Sequence, residues 1–359
     1  MDRHGRALRL GTRGSRLALV QSEQAARDLE AAGAPAIELV TVRTGGDGDR
    51  TPLRELGGVG VFAARLRRAL LDREVDLAVH SCKDLPSRPV DGLELICVPR
   101  REDPRDALCA RDGLTLTTLP PGARVGTGSP RRAAQLLAAR ADLEVVDLRG
   151  NVPTRLSRVR GLDMGADEPV APATADTRGD LDAVVLAMAG LRRLGLERFA
   201  TQVMDTDVML PAPAQGALAI EARADLLAAA GHEALAGAAA RLEDAGTRLA
   251  ITAERALMAA LGAGCAAPVG ALAQVVEPGA APGSRDLVLR ALVCSADGRR
   301  QRHCELRTPL PGAAGAGDDH AAAEELGARA ASSLLDNGAA GIVDLRASRP
   351  SHMPPRGRA

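Results

Sequence analysis

A short apolar strand that runs into a Gly, Thr and Ser turn at the head of a helix occurs twice in this 359-residue chain, and it constrains the fold more than any other feature. The first copy is LRLG (8–11), the turn GTRGS (11–15) and RLALVQSEQAARDLEAAG, whose apolar positions recur at helical spacing as far as Gly33. The second is RVGTGS (124–129) followed by PRRAAQLLAAR (130–140). Each copy is continued in the same style. IELVTV (37–42), a Gly/Asp-rich loop, a helix near 62–72 and the strand VDLAVH (75–80) follow the first. LEVVDLRG (143–150), a helix over VPTRLSRVRG (152–161), and the strand and helix of LDAVVLAMAGLRRLGL (181–196) follow the second. Strands alternating with helices predict an α/β fold with mainly parallel sheets, arranged as two lobes.

The remainder reads differently. VMLPAPAQGALAIEAR predicts a strand that returns to the earlier sheet, and residues 232–264 are strongly helical. Strands over ALAQVV (271–276) and DLVLRALVC (286–294) and a helix over 320–336 predict a smaller α+β domain. The expected division is a first lobe from 1–102 with 206–226, a second lobe from 103–205, a C-terminal domain from 227–346 and a disordered tail from 347–359. Residues 163–179, rich in Ala, Pro and Asp, predict a surface insertion.

Composition removes several function classes. The 46 basic and 46 acidic residues cancel, which argues against a nucleic-acid stripe or a membrane-binding basic patch. Phe62 and Phe199 are the only aromatics, too few for base-stacking platforms. No apolar run approaches the ~20 residues of a membrane span, and the N-terminus has no apolar leader, so a cytoplasmic location is expected. The six cysteines at 82, 97, 109, 265, 294 and 304 form no CxxC pair, which predicts free thiols and no metal site. Lys83 is the single lysine beside 45 arginines, counted from 46 basic residues.

The turns and strand ends hold the candidate chemistry. A Gly-Thr-Ser turn at a helix N-terminus points N–H groups and hydroxyls at an anion. Arg13 stands in the first turn, Arg131 and Arg132 follow the second, and Arg149 and Arg155 flank a third strand-to-helix junction. Taken singly, the hydroxyls would only cap helices; three such junctions favour carboxylate binding by arginine forks. In HSCKDLPS a strand delivers Ser81, Lys83 and Asp84 to the carboxyl end of a sheet, where α/β sites gather. Asp84 suits general acid and base work if burial raises its pKa above ~3.9, and is otherwise a turn former before Pro86. Cys265, on the Gly-flanked turn GAGCAAP, is either an accessible nucleophile or an inert thiol.

Five strings occur in one order: GTRGSRLAL (11–19), HSCKDLP (80–86), GTGSPRR (126–132), LRGNVPTRL (148–156) and GAGC (262–265). Through them the chain resembles the hydroxymethylbilane synthase, or porphobilinogen deaminase, family over roughly residues 8–310. The resemblance implies two periplasmic-binding-protein-like lobes and a C-terminal domain bearing a dipyrromethane cofactor, linked through Cys265 by a thioether. It implies an enzyme of tetrapyrrole biosynthesis that condenses four porphobilinogens head to tail with loss of ammonia. Asp84 would handle the protons. Arg13, Arg131, Arg132, Arg149 and Arg155 would bind acetate and propionate groups, Ser15, Ser81, Lys83, Thr127 and Ser129 would add polar contacts, and Phe62 would touch the pyrrole rings. Implied partners are porphobilinogen and the growing linear oligopyrrole, with a monomeric protein and a transient hand-off to the next enzyme. Glu55 and Val59 stand where many relatives have lysine, and Gly128 where many have serine. The alternatives are a degenerate paralogue, or a two-lobed anion-binding module without catalysis.

Overall fold

The computed structural model describes residues 7–42, 61–87, 89–164, 179–228, 231–264, 266–277, 284–311 and 316–345. Glu55, Val59, Cys265, most of the 163–179 insertion and the 347–359 tail lie outside them. The chain divides into two compact units, one of residues 1–102 with 214–252, the other of 103–213 with 253–359.

The first unit opens with β1 (Leu8–Thr12), α1 (Arg16–Ala31), β2 (Ile37–Thr41), α2 (Val61–Leu71), β3 (Leu77–Ser81), a 3-10 turn (Cys82–Asp84) and β4 (Leu93–Cys97). The second begins with β5 (Asp106–Ala110), β6 (Arg124–Gly126), α3 (Pro130–Ala139), β7 (Glu144–Val146), α4 (Val152–Leu156), β8 (Ala183–Ala187), α5 (Met188–Arg193) and β9 (Gln202–Val203). The chain then returns to the first unit as β10 (Leu218–Arg223), α6 (Ala224–Ala228) and α7 (Glu233–Leu242), and α8 (Ala245–Leu261) leads out of it. β11 (Val269–Val276), β12 (Arg285–Cys294), β13 (Gln301–Leu310) and α9 (Ala316–Asp336) complete the second unit.

The two five-stranded sheets share one plan, β2-β1-β3-β10-β4 and β7-β6-β8-β5-β9. In each, the first two pairings are parallel and the last two antiparallel, so four of the five strands run one way and one, β10 or β5, runs against them. The expected mainly parallel α/β sheets are therefore present, each with one reversed strand. β11, β12 and β13 form a separate antiparallel meander with α9 packed on it.

Alternation along the strands builds the first core. Leu77, Val79, Leu218, Ile220 and Ala222 face Ala25, Ala26 and Leu29 of α1 and Leu235, Ala238 and Ala239 of α7. On the opposite sheet face, Ala78 and Ala219 lie in clusters with Ala63, Leu66, Ala69 and Leu70 of α2. The period of two sends successive residues to opposite layers.

Local expectations fail where polar side chains compete with the backbone. The helix over 152–161 ends at Leu156, because the Ser157 hydroxyl donates to the Thr154 carbonyl at 2.9 Å and Val159 then bridges to Leu181. The long helical stretch 232–264 breaks at Glu243 and Asp244; Glu243 is extended, and the Asp244 carboxylate accepts from the Thr247 N–H at 2.7 Å, starting a new helix. Strands β4, β5, β9 and β13 are absent from the sequence reading. β5 hides in DALCA behind a proline-bearing linker, and β13 is too polar to stand out.

Among the described residues no helix is long and apolar enough to cross a membrane. The arginine–carboxylate pairs that lace the second unit carry a pH dependence. Hydrogen bonds from Arg105 and Arg158 hold Asp103 and Asp180 below the usual carboxylate range. A depressed carboxylate contributes stability that is present above its unfolded pKa of ~3.9 and is lost as pH falls through the folded value. The thermal midpoint should stay level from pH 8 to 5 and fall below about pH 4, and Asp180→Asn should shrink that acid-side fall; a midpoint that drops between pH 7 and 5 contradicts this assignment.

Candidate active site

In the first unit, β1 and β3 are parallel neighbours with Leu10 beside Leu77 and Gly11 beside Ala78, so their carboxyl ends emerge at one edge of the sheet. That edge carries two of the predicted groups. Ser15 caps α1, its hydroxyl accepting from the Ala18 N–H at 3.4 Å, and Arg13 is half-buried in the same turn. The turn is braced from within: the Ser22 hydroxyl donates to Thr12 Oγ1 at 2.7 Å, and both residues are 1% exposed.

From the end of β3 come Ser81, Lys83 and Asp84. The Ser81 hydroxyl donates to Gln21 Oε1 on α1 at 3.1 Å, and Lys83 Nζ donates to Gln215 Oε1 at 3.3 Å. Asp84 is exposed, against the burial that its expected acid role called for. The reason is local, because in this single 3-10 turn Cys82 and Leu85 point inward and the intervening residues are left at the surface. Phe62 lies in the first turn of α2, and its side chain is outside the described residues.

Gln21 and Gln215 were not predicted. Both are buried, at 6% and 1% exposed, and both receive a donor from the strand end. Gln215 is further fixed by Arg101 Nε, which donates to its carbonyl at 2.7 Å, and by Ala214, which adopts φ +61° before it. A left-handed alanine costs roughly 1–2 kcal/mol and is held only by surroundings that leave it no choice. The proline- and glycine-rich string PAPAQG marks a special turn in the sequence but says nothing of its partner.

In the second unit, β6 and β7 are parallel neighbours and again release their polar residues at one edge. Thr127, 4% exposed, accepts from the Ser129 N–H at 3.2 Å, and the Ser129 hydroxyl accepts from the Arg132 N–H at 3.5 Å, capping α3. Arg149 is exposed and 3.5 Å from Asp147, while Arg155 donates from Nε to the Gly150 carbonyl at 2.8 Å.

Arg131 and Arg132 do something else. Both turn inward, at 4% and 5% exposed, and share Asp106, which has no exposed surface. Arg131 NH2 lies 2.8 Å from Asp106 Oδ2, and Arg132 donates from NH2 and Nε to Oδ1 at 2.7 and 3.0 Å. One further donor of each, NH1, reaches the carbonyls of Leu210 and Val185 at 2.7 and 3.0 Å, while Arg131 Nε is buried without a hydrogen-bond partner among the described residues. Burial holds the Arg131 guanidinium below its usual value against the pull of Asp106. The sequence reading placed both arginines beside the turn as ligand arms; the unpredicted strand β5 supplies the carboxylate that draws them in.

The thiols also sort themselves. Burial pushes Cys97, Cys109 and Cys294 up to about 12 and Cys304 up to about 11, so none of these four is a ready thiolate. Around Cys265, α8 closes on Gly262 at φ +62°, with the Ala263 N–H donating to the Met258 carbonyl and the Gly262 N–H to Ala259. This glycine-terminated cap stops the helix three residues short of the cysteine. The Ala267 N–H donates to the Gly264 carbonyl.

Residues 8–230 match the family model "Porphobilinogen deaminase, dipyromethane cofactor binding domain", and residues 248–336 match "Porphobilinogen deaminase, C-terminal domain". The chain belongs to the porphobilinogen deaminase family. It is 52% identical over 342 residues to porphobilinogen deaminase of Cutibacterium acnes, covering 95% of this chain and 98% of that one. To the porphobilinogen deaminase of Micrococcus luteus it is 54% identical over 302 residues, covering 82% and 79%. Among solved structures, a TRAP periplasmic solute binding protein from Pseudomonas putida F1 is 10% identical with a TM-score of 0.34, covering 66% of this chain and 78% of that one, a likeness too weak to bear on the fold.

A Cβ on Gly128 would lie 2.4 Å from the Leu148 carbonyl oxygen, so any larger residue there would require the turn or the segment after β7 to shift.

Two substitutions separate a buried clamp from an exposed ion pair in the second unit. Asp106→Asn leaves two buried guanidiniums without a counter-charge and should cost ~3–5 kcal/mol in urea unfolding. Arg149→Leu, at an exposed pair, should stay within about 0.5 kcal/mol of the parent. Equal stability of the two variants would show that Asp106 does not hold α3.

Proposed function

We propose that this chain is a hydroxymethylbilane synthase, joining four porphobilinogens head to tail with release of four ammonia molecules, with Asp84 as its acid–base group and Cys265 as the attachment point of a dipyrromethane. The observation that carries the reading is the arrangement at the carboxyl end of β3, where Lys83 and an exposed Asp84 leave a strand braced by Gln21 and Gln215.

The donor chemistry fits the cofactor. Each pyrrole ring carries two carboxylates, and the first unit offers Arg13, Ser15, Ser81 and Lys83 while the second offers Thr127, Ser129, Arg149 and Arg155. Arg131 and Arg132 support the second set by charge, since two guanidiniums against the single Asp106 leave the base of that turn net positive. When bound, the dipyrromethane supplies the pyrrole terminus to which the first incoming unit is joined.

Asp84 carries the protons. Its carboxyl donates to the amine of porphobilinogen as the carbon–nitrogen bond breaks, and ammonia leaves. The carboxylate then faces the electron-poor methylene carbon and lowers the energy of its developing positive charge. After the new carbon–carbon bond forms, the proton displaced from the pyrrole carbon returns to Asp84. The water exclusion that such a carboxylate needs comes from the bound oligopyrrole, because the protein alone leaves Asp84 in solvent. Lys83, held by Gln215, keeps a positive charge beside it. We place the enzyme in the cytoplasm as a monomer that passes its product to the next enzyme.

The test is single-turnover product formation by variants shown to be folded and loaded. Asp84→Asn removes both the proton and the charge and should lose most of the ~10²–10⁴-fold that positioned acid–base catalysis supplies, while Asp84→Glu should retain partial activity. Near-normal turnover by Asp84→Asn would return this residue to the role of a turn former.

A further inference from the structure

One buried charge cluster in the first unit takes no part in the chemistry assigned above. Glu221 on β10 is 2% exposed, and Arg67 on α2 and His80 on β3 are each 7% exposed. Arg67 Nε donates to both carboxylate oxygens at 3.0 and 3.1 Å, and its NH2 lies 2.9 Å from Oε1. His80 Nε2 touches Oε2 at 3.2 Å, off the line of an ideal hydrogen bond. Burial alone would raise the Glu221 carboxyl, but His80 and Arg67 outweigh it and hold the group below its ordinary value, ionised near neutral pH.

The strand register explains why the three meet. Ala219 lies opposite His80 and Glu221 opposite Ala78, so Glu221 and His80 are diagonal neighbours on the sheet face that α2 covers. Apart from Arg223, the side chains clustered with α2 on that face are small or apolar, and an apolar pair of similar volume often fills such a space with no loss of stability. Nor is the pair needed to dock α2. Arg223, also on β10, donates from NH1 to the carbonyls of Leu70 and Val75 at 3.0 and 3.1 Å and holds the far end of that helix.

The arrangement does one thing that Arg223 cannot. His80 is followed by Ser81, Cys82, Lys83 and Asp84. We propose that Glu221 is a positioning residue for Asp84: clamped by Arg67 and pressed against His80, it fixes the direction in which β3 releases the Lys83 and Asp84 side chains. The proposal rests on the reading of Asp84 as the acid–base group. Ser81 on Gln21 and Lys83 on Gln215 fix the same strand end from α1 and from the turn before β10, so with His80 on Glu221 three anchors from three elements hold positions 80, 81 and 83 beside Asp84. Misplacing a reacting group by about 1 Å can cost ~10²-fold in rate without weakening binding.

The experiment compares the parent enzyme with Arg67→Met/Glu221→Leu, which replaces the pair by apolar side chains, and with Arg67→Lys, which keeps the charge and loses the fork. Three quantities are read: thermal midpoint, intact mass as a record of cofactor loading, and kcat against KM. The double variant should keep a midpoint within a few degrees of the parent and its loaded mass, yet lose roughly 10-fold or more in kcat with KM within about twofold. Arg67→Lys should fall between the two. Parental kcat in a folded double variant would overturn the proposal, and so would losses in kcat that simply track losses in midpoint. If the double variant does not fold, Arg67→Lys decides by the same split. Asp84→Asn, assayed alongside, separates the two levels: an active Asp84→Asn removes the underlying reading, whereas an inactive Asp84→Asn beside a fully active double variant removes only the role of Glu221.

Discussion

A carboxylate buried on the reversed strand of each five-stranded sheet clamps arginines from the helix that packs over it. In the second unit Asp106 on β5 takes both Arg131 and Arg132 of α3, and in the first Glu221 on β10 takes Arg67 of α2. Leaving such a charge unpaired costs ~3–5 kcal/mol, a large part of the ~5–15 kcal/mol that keeps a domain folded. The clamps sit beneath the strand ends and turns that expose the polar groups. An almost aromatic-free core of leucine and alanine offers few large, directional contacts, and buried arginine pairs supply the missing specificity of placement.

Most strands of the two five-stranded sheets were open to reading from the chain alone, because GTRGS and GTGSP punctuate strand and helix so clearly, and so was the return of LAIEAR to an earlier sheet, whereas the strand order was not. What escaped was set by partners distant in sequence. Nothing in DALCA announces that Asp106 will be fully buried, so Arg131 and Arg132 read as solvent-side arms when they are core residues. Glu221 sits in a run of apolar neighbours, and its meaning depends on Arg67, 154 residues away. At Asp84 the position was legible, but its exposure depends on which way a three-residue 3-10 turn faces.

The chemistry assigned to the chain divides between rigid and open parts. Hydroxyls and glutamines at the strand ends are internally satisfied, which fixes the edges, while Asp84 in the first unit and Arg149 in the second are exposed. Burial pushes four thiols up to about 11 or 12 and Cys82 is buried as well, while Cys265, the proposed attachment point, lies outside the described residues.

The most direct test of this account is the intact mass of the purified protein. A porphobilinogen deaminase working through Cys265 should carry the chain mass plus one dipyrromethane, localised by peptide mapping to the peptide that holds Cys265, and Cys265→Ser should show the bare chain mass while folding as the parent does. A parent protein of bare chain mass after exposure to porphobilinogen, or an adduct that survives in Cys265→Ser, would contradict it.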